Sequence, residues 1–131
     1  MLGNLFKTRA NLVLLVALAC SFQASLPALA GEADVIAVTH TRAADGTYRF
    51  DVAVRHADAG WEHYADKWQV IGPDGAVLGE RVLLHPHDDE QPFTRSQSGI
   101  VIPEGTGRVI VRAHDKLHGW GGREIEVPLG N

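Results

Sequence analysis

The stretch Tyr48-Arg49-Phe50-Asp51-Val52-Ala53-Val54-Arg55 decides how the chain is read. Tyr48, Phe50, Val52 and Val54 alternate with Arg49, Asp51, Ala53 and Arg55. Side chains two apart in an extended chain share a face, so this is a strand with one side for a core and one for water. Asp45-Gly46 just before it is a tight-hairpin signal that joins it to an earlier strand over residues 34–41. Alternation recurs over residues 67–71, 76–85, 94–102, 108–115 and 123–129, and no segment sustains a helical period. Pro73-Asp74-Gly75 and Pro103-Glu104-Gly105 read as turns, with proline pre-setting one dihedral and glycine admitting positive φ. The expected fold is all-β: a single antiparallel seven-stranded β-sandwich, immunoglobulin- or fibronectin III-like.

Upstream, Lys7 and Arg9 precede an apolar run from Ala10 to about Phe22, and Ala28-Leu29-Ala30 supplies the A-x-A pattern of a signal peptidase site. The run is shorter than the ~20 residues that cross a bilayer. Residues 1–30 are therefore expected to be a signal peptide, and residues 31–131 one domain that is periplasmic or secreted, with no membrane span after cleavage. Cys20 raises the rival reading of a lipoprotein. The leucine in Ala17-Leu18-Ala19 stands next-but-one to the cysteine rather than three before it, which favours cleavage after Ala30. Residues 31–131 contain no cysteine, so their stability must come from packing. They carry 10 Lys and Arg against 16 Asp and Glu, a net charge of −6, which argues against nucleic acid as a partner.

If each strand crosses the sandwich once, successive connections alternate between its two ends. The first, third and fifth connections are short turns. The second, fourth and sixth are long and chemically rich: residues 57–66, 86–93 and 116–122. Loops on one end of a rigid scaffold are where such folds bind things. Six of the seven histidines fall at this pole, beside Glu62, Asp88, Asp89, Glu90 and Asp115; His40 alone belongs to the other end. In His85-Pro86-His87 an extended backbone sets two imidazoles on one side, their Cα atoms ~6.6 Å apart. His118, His114 and His63 are the next candidate ligands. With no thiolate or thioether in residues 31–131, imidazole and carboxylate suit Cu(II) or Zn(II). The same imidazoles can instead brace the loops as hydrogen-bonding struts, or sense pH.

Trp61, Tyr64, Glu90, Phe93, Arg95 and Trp120 occupy the same loops and are the candidate contacts for a partner protein or glycan. Trp120 sits in Gly119-Trp120-Gly121-Gly122, a segment able to bend sharply. No enzyme is expected. Ser96 and Ser98 lack a nucleophile elbow, and Asp88-Asp89-Glu90 reads as a solvated acidic loop.

Trp61-Glu62-x-Tyr64-Ala65-Asp66, His85-Pro86-His87-x-x-Glu90-Gln91-Pro92-Phe93-Thr94-Arg95-Ser96 and His118-Gly119-Trp120-Gly121-Gly122 together resemble a family of small exported bacterial β-sandwich proteins with no assigned activity. In size, export and architecture the chain is also similar to periplasmic copper carriers of the CopC type. Those carriers bind copper through a histidine at the mature N-terminus, whereas cleavage here leaves Gly31-Glu32, so copper would fall to the loop histidines. The reading is an exported binding module whose histidine-rich pole takes Cu(II) or Zn(II). Its alternative is a non-metal protein- or glycan-interaction module in an unknown periplasmic or extracellular partnership.

Overall fold

The computed structural model describes residues 31–130; the signal peptide expected over residues 1–30 lies outside them. The described residues form two antiparallel sheets and contain no helix. One sheet has the order β1–β2–β5, from β1 (Asp34–Arg42), β2 (Tyr48–Arg55) and β5 (Phe93–Ile100). The other begins β4 (Val77–Val82), β3 (Ala65–Ile71), β6 (Arg108–Asp115). Both β7 (Gly119–Trp120) and β8 (Ile125–Pro128) pair with β6. β7 opposes His114 and Asp115, and β8 opposes Arg108 to Val111, so the two act as one edge strand interrupted in the middle.

Among the described residues eight strands thus stand where seven were expected. The extra one is the Gly119–Trp120 pair, which the sequence placed in a loop. β4 also stops at Val82 rather than running to residue 85. Pro86 has no N–H to give a ladder, and the chain leaves the sheet ahead of it.

Alternation does its expected work in β2, where Phe50, Val52 and Val54 are fully buried while Arg49 and Arg55 face water. They join Val35, Phe93 and Ile100 of the same sheet and Trp68, Val70, Val109, Val111, Ala113 and Val127 of the other in one apolar cluster. Each such side chain contributes about 1.5–3 kcal/mol on burial. β3 lies between two neighbours and is buried on both faces over its last four residues. Its outward Gln69 is satisfied by Glu80 at 2.5 Å and by Arg112 at 2.9 Å.

The short connections lie together: one recess is lined by Arg42, Tyr48 and Pro103, and another by Gly72, Pro73 and Gly105. The long connections meet elsewhere. Asp58 of the second accepts a hydrogen bond from the His87 amide of the fourth at 2.7 Å. The Lys116 amide of the sixth donates to the Tyr64 carbonyl at 3.1 Å. The ladder register Ala65↔Asp115 sets the end of β6 directly against the loop that enters β3. Among the described residues no helix is long and apolar enough to cross a membrane.

Candidate metal centre

Two carboxylates organise the pole, and both are completely buried. Asp58, three residues past β2, accepts from the Ala65 amide at 3.0 Å through Oδ1 and from the His87 amide at 2.7 Å through Oδ2. Its Oδ1 also lies 2.5 Å from His56 Nδ1. A carboxylate only accepts, so His56 Nδ1 carries a proton, and in the neutral ring it is the opposite nitrogen, Nε2, that offers a lone pair. Gln91 helps hold this loop in place, taking the His56 amide at 3.0 Å and donating to the His87 carbonyl at 3.1 Å.

Asp115 ends β6. Its Oδ1 accepts from the amides of Leu117 at 2.8 Å and His118 at 2.6 Å, which turns the chain tightly out of the strand. Its Oδ2 faces His56 Nε2 at 3.8 Å, and His63 Nε2 stands 3.6 Å from Oδ1. One ligand atom each from His56, His63 and Asp115 can be chosen within 4.8 Å of one another. His56 Nε2, His63 Nε2 and Asp115 Oδ2 are all buried without a hydrogen-bond partner. Three orphaned polar atoms in one small cluster, two of them imidazole nitrogens, are of the donor types that can hold a divalent cation. The Asp58 carboxylate fixes the orientation of the His56 ring, as an outer carboxylate does for an imidazole that holds a metal. The His118 ring lies 5.0 Å from that of His63, with Nδ1 3.3 Å from Asp115 Oδ1.

The histidines singled out from the sequence fall into three places. His63 and His118 meet at the Asp115 cluster. His114 pairs with Asp66 at 2.6 Å and packs edge-on against Trp120. His85 and His87 are neighbours, ring centroids 4.6 Å apart. His87 is buried and stacked flat on Phe93 at 3.9 Å, while exposed His85 directs Nδ1 to its neighbour's carbonyl, Pro86 O, at 2.9 Å. Burial holds the His87 pKa below the usual imidazole value, and the nearby charges of Arg95 and His85 push it the same way. Both His87 ring nitrogens lack a partner. His87 touches the Asp115 group only through Asp58, whose Oδ2 is 3.9 Å from its Nδ1.

The contact candidates divide as well. Trp61 is 63% exposed, against Tyr64, which is buried. Phe93 is core. Glu90 and Arg95 make a two-pronged ion pair at 3.1 and 3.4 Å, and that bond holds the Glu90 carboxyl below its ordinary value. Trp120 is half-buried beneath the Arg112 guanidinium, 4.2 Å from its ring centre.

Sequence reasoning placed His56 and Asp115 at this pole without choosing them among the candidate ligands, and passed over Asp58. The available signals were His56-x-Asp58 at a strand end and Asp115-x-x-His118, each a carboxylate beside an imidazole at the same pole.

The fold and site define an all-β domain with a buried histidine–aspartate cluster at one end. A protein of Halomicrobium mukohataei named "Putative lipoprotein" is 47% identical over 96 residues, which cover 73% of this chain and 47% of that protein. The chain spans about half the length of that relative. No protein-family model matches the chain, and no solved structure does.

Proposed function

We propose that this protein is an exported binding module, an immunoglobulin-like β-sandwich that holds one divalent transition-metal ion at its histidine-rich pole. His56, His63 and Asp115 are its ligands. The observation that carries the reading is the set of three unpartnered buried atoms, His56 Nε2, His63 Nε2 and Asp115 Oδ2. Leaving a buried polar group unsatisfied costs about 1–3 kcal/mol, and a single cation relieves all three. Bonds of 2.0–2.1 Å to a tetrahedral ion would set ligand atoms roughly 3.3–3.4 Å apart. His63 Nε2 stands 3.6 Å from Oδ1 and His56 Nε2 3.8 Å from Oδ2 of Asp115. One atom from each of the three lies within 4.8 Å of the others, so the side chains would draw together by up to about 1.5 Å around the ion. Nitrogen and oxygen donors without sulfur suit Zn(II) or Cu(II). In this reading the protein binds and does not catalyse.

Equilibrium dialysis tests it. The wild type should retain one equivalent of Zn(II) or Cu(II), His63→Ala should retain none, and the His85→Ala/His87→Ala pair should keep the ion. The reverse pattern would move the site to His85-Pro86-His87.

A second reading of the anchorage has its own support. The name of that relative, a lipoprotein, supports lipid attachment at Cys20 as the alternative to cleavage after Ala30. Incorporation of labelled palmitate, lost in Cys20→Ser, would establish the anchor; an unlabelled chain beginning at Gly31 would establish the soluble form.

A further inference from the structure

We infer that His118 is the exchange ligand of this site, completing the coordination of the ion and being the donor it loses first when the metal is handed on. The inference rests on the reading of His56, His63 and Asp115 as the other ligands. Its first ground is exposure. The side chains of His56 and Asp115 are 0% exposed and that of His63 14%, whereas His118 is 33% exposed. The cluster is therefore closed on the core side and reaches water chiefly past His118.

The second ground is how the residue is held. Its amide is pinned to Asp115 Oδ1 at 2.6 Å, so the root of the side chain cannot drift from the site. The ring itself stands off at 3.3 Å from the same oxygen, close enough to turn its Nδ1 onto an ion beside Asp115. Gly119 follows at φ +73°, a left-handed conformation that brings the chain back into β7 within one residue of the ring. An exposed side chain on such a fixed stem reorients in picoseconds to nanoseconds.

Chemistry supplies the third ground. Three protein ligands leave a tetrahedral ion one open position, which a fourth donor or an outside ligand can fill. An incoming donor approaches most readily from the more open side, and the ligand it replaces there is His118. The partner is accordingly a molecule that brings its own metal-binding donor to that face and draws the ion across.

Cobalt(II) and EDTA test this with the exported protein. His118→Ala and His118→Gln should still bind one Co(II), with an altered visible spectrum that free imidazole restores. EDTA should strip the ion from both variants at least about tenfold faster than from wild type, the low end of what even an outer-sphere partner carries. A wild-type spectrum and stripping rate in both variants would overturn the inference and leave the three-ligand site standing. Complete loss of Co(II) from both would also overturn it, by making His118 a core ligand. Failure of the wild type to take up Co(II) would instead remove the site on which the inference rests.

Discussion

Asp58 holds His56 by Nδ1 at 2.5 Å and so turns the other face of the ring, Nε2, toward the Asp115 carboxylate. Asp58 need touch no ion to matter, because it sets the aim of the His56 ring, a ligand in the proposed site. Asp58→Asn is expected to weaken Zn(II) binding about 10–100-fold. Asp66→Asn, which disturbs only the pairing to His114, should leave affinity unchanged. Competition with a zinc-sensitive dye measures both.

The same residue ties three chain segments together, since its acceptors also satisfy the Ala65 and His87 amides. Asp58→Ala strands these buried donors and should lower the stability of the metal-free protein by about 1–3 kcal/mol or more. Urea unfolding in EDTA reads this directly.

Cation binding to the folded state alone must raise its stability. Zinc at one hundred times its dissociation constant should add about 2.7 kcal/mol. The gain should vanish in His63→Ala, as seen by thermal unfolding with and without the metal.

His87 makes the fold sensitive to acid. Its folded pKa lies below the 6.5 of a free imidazole, so between those values the unfolded chain binds the proton and the native state does not. Stability is undiminished above about pH 6.5 and falls as pH drops from there toward the depressed folded pKa. His87→Phe keeps a ring on Phe93 and removes the proton site. Its urea midpoint, in EDTA, should decline less than that of wild type between pH 7.5 and pH 5.

Gly121 and Gly122 look alike in sequence and should behave differently. A Cβ at Gly122 would run into the Ala33 carbonyl, where the segment leading into β1 is docked by the Val35–Arg123 backbone bond at 2.9 Å. At Gly121 it would meet only the flexible side chain of Glu32. Gly122→Ala should cost about 1–3 kcal/mol or more, and Gly121→Ala much less. Paired urea melts decide it.

Much of the fold was legible because half-buried strands announce themselves. β6 begins and ends where alternation places it, at Arg108 and Asp115. β7 was not legible, because two residues carry no period. Its strand character comes from pairing with His114 and Asp115. At the site, crowding of histidines in the long loops pointed to His63 and His118. It also pointed to His85 and His87, which share a strand-like spacing but leave the sheet ahead of Pro86. The buried carboxylates were hidden for a different reason. Asp58 looks like a surface charge until donors from other segments are seen to hold it, and Asp115 until the rings of His56 and His63 are seen beside it. The amides that Asp58 holds lie 7 and 29 residues further along the chain.

Diffraction from a zinc-soaked crystal, collected at the zinc absorption edge, tests the central claim most directly. One anomalous peak should appear about 2.0–2.1 Å from Nε2 of both His56 and His63, within bonding reach of the Asp115 carboxylate. A peak between His85 and His87 with none at Asp115, or no peak at all, would contradict the account.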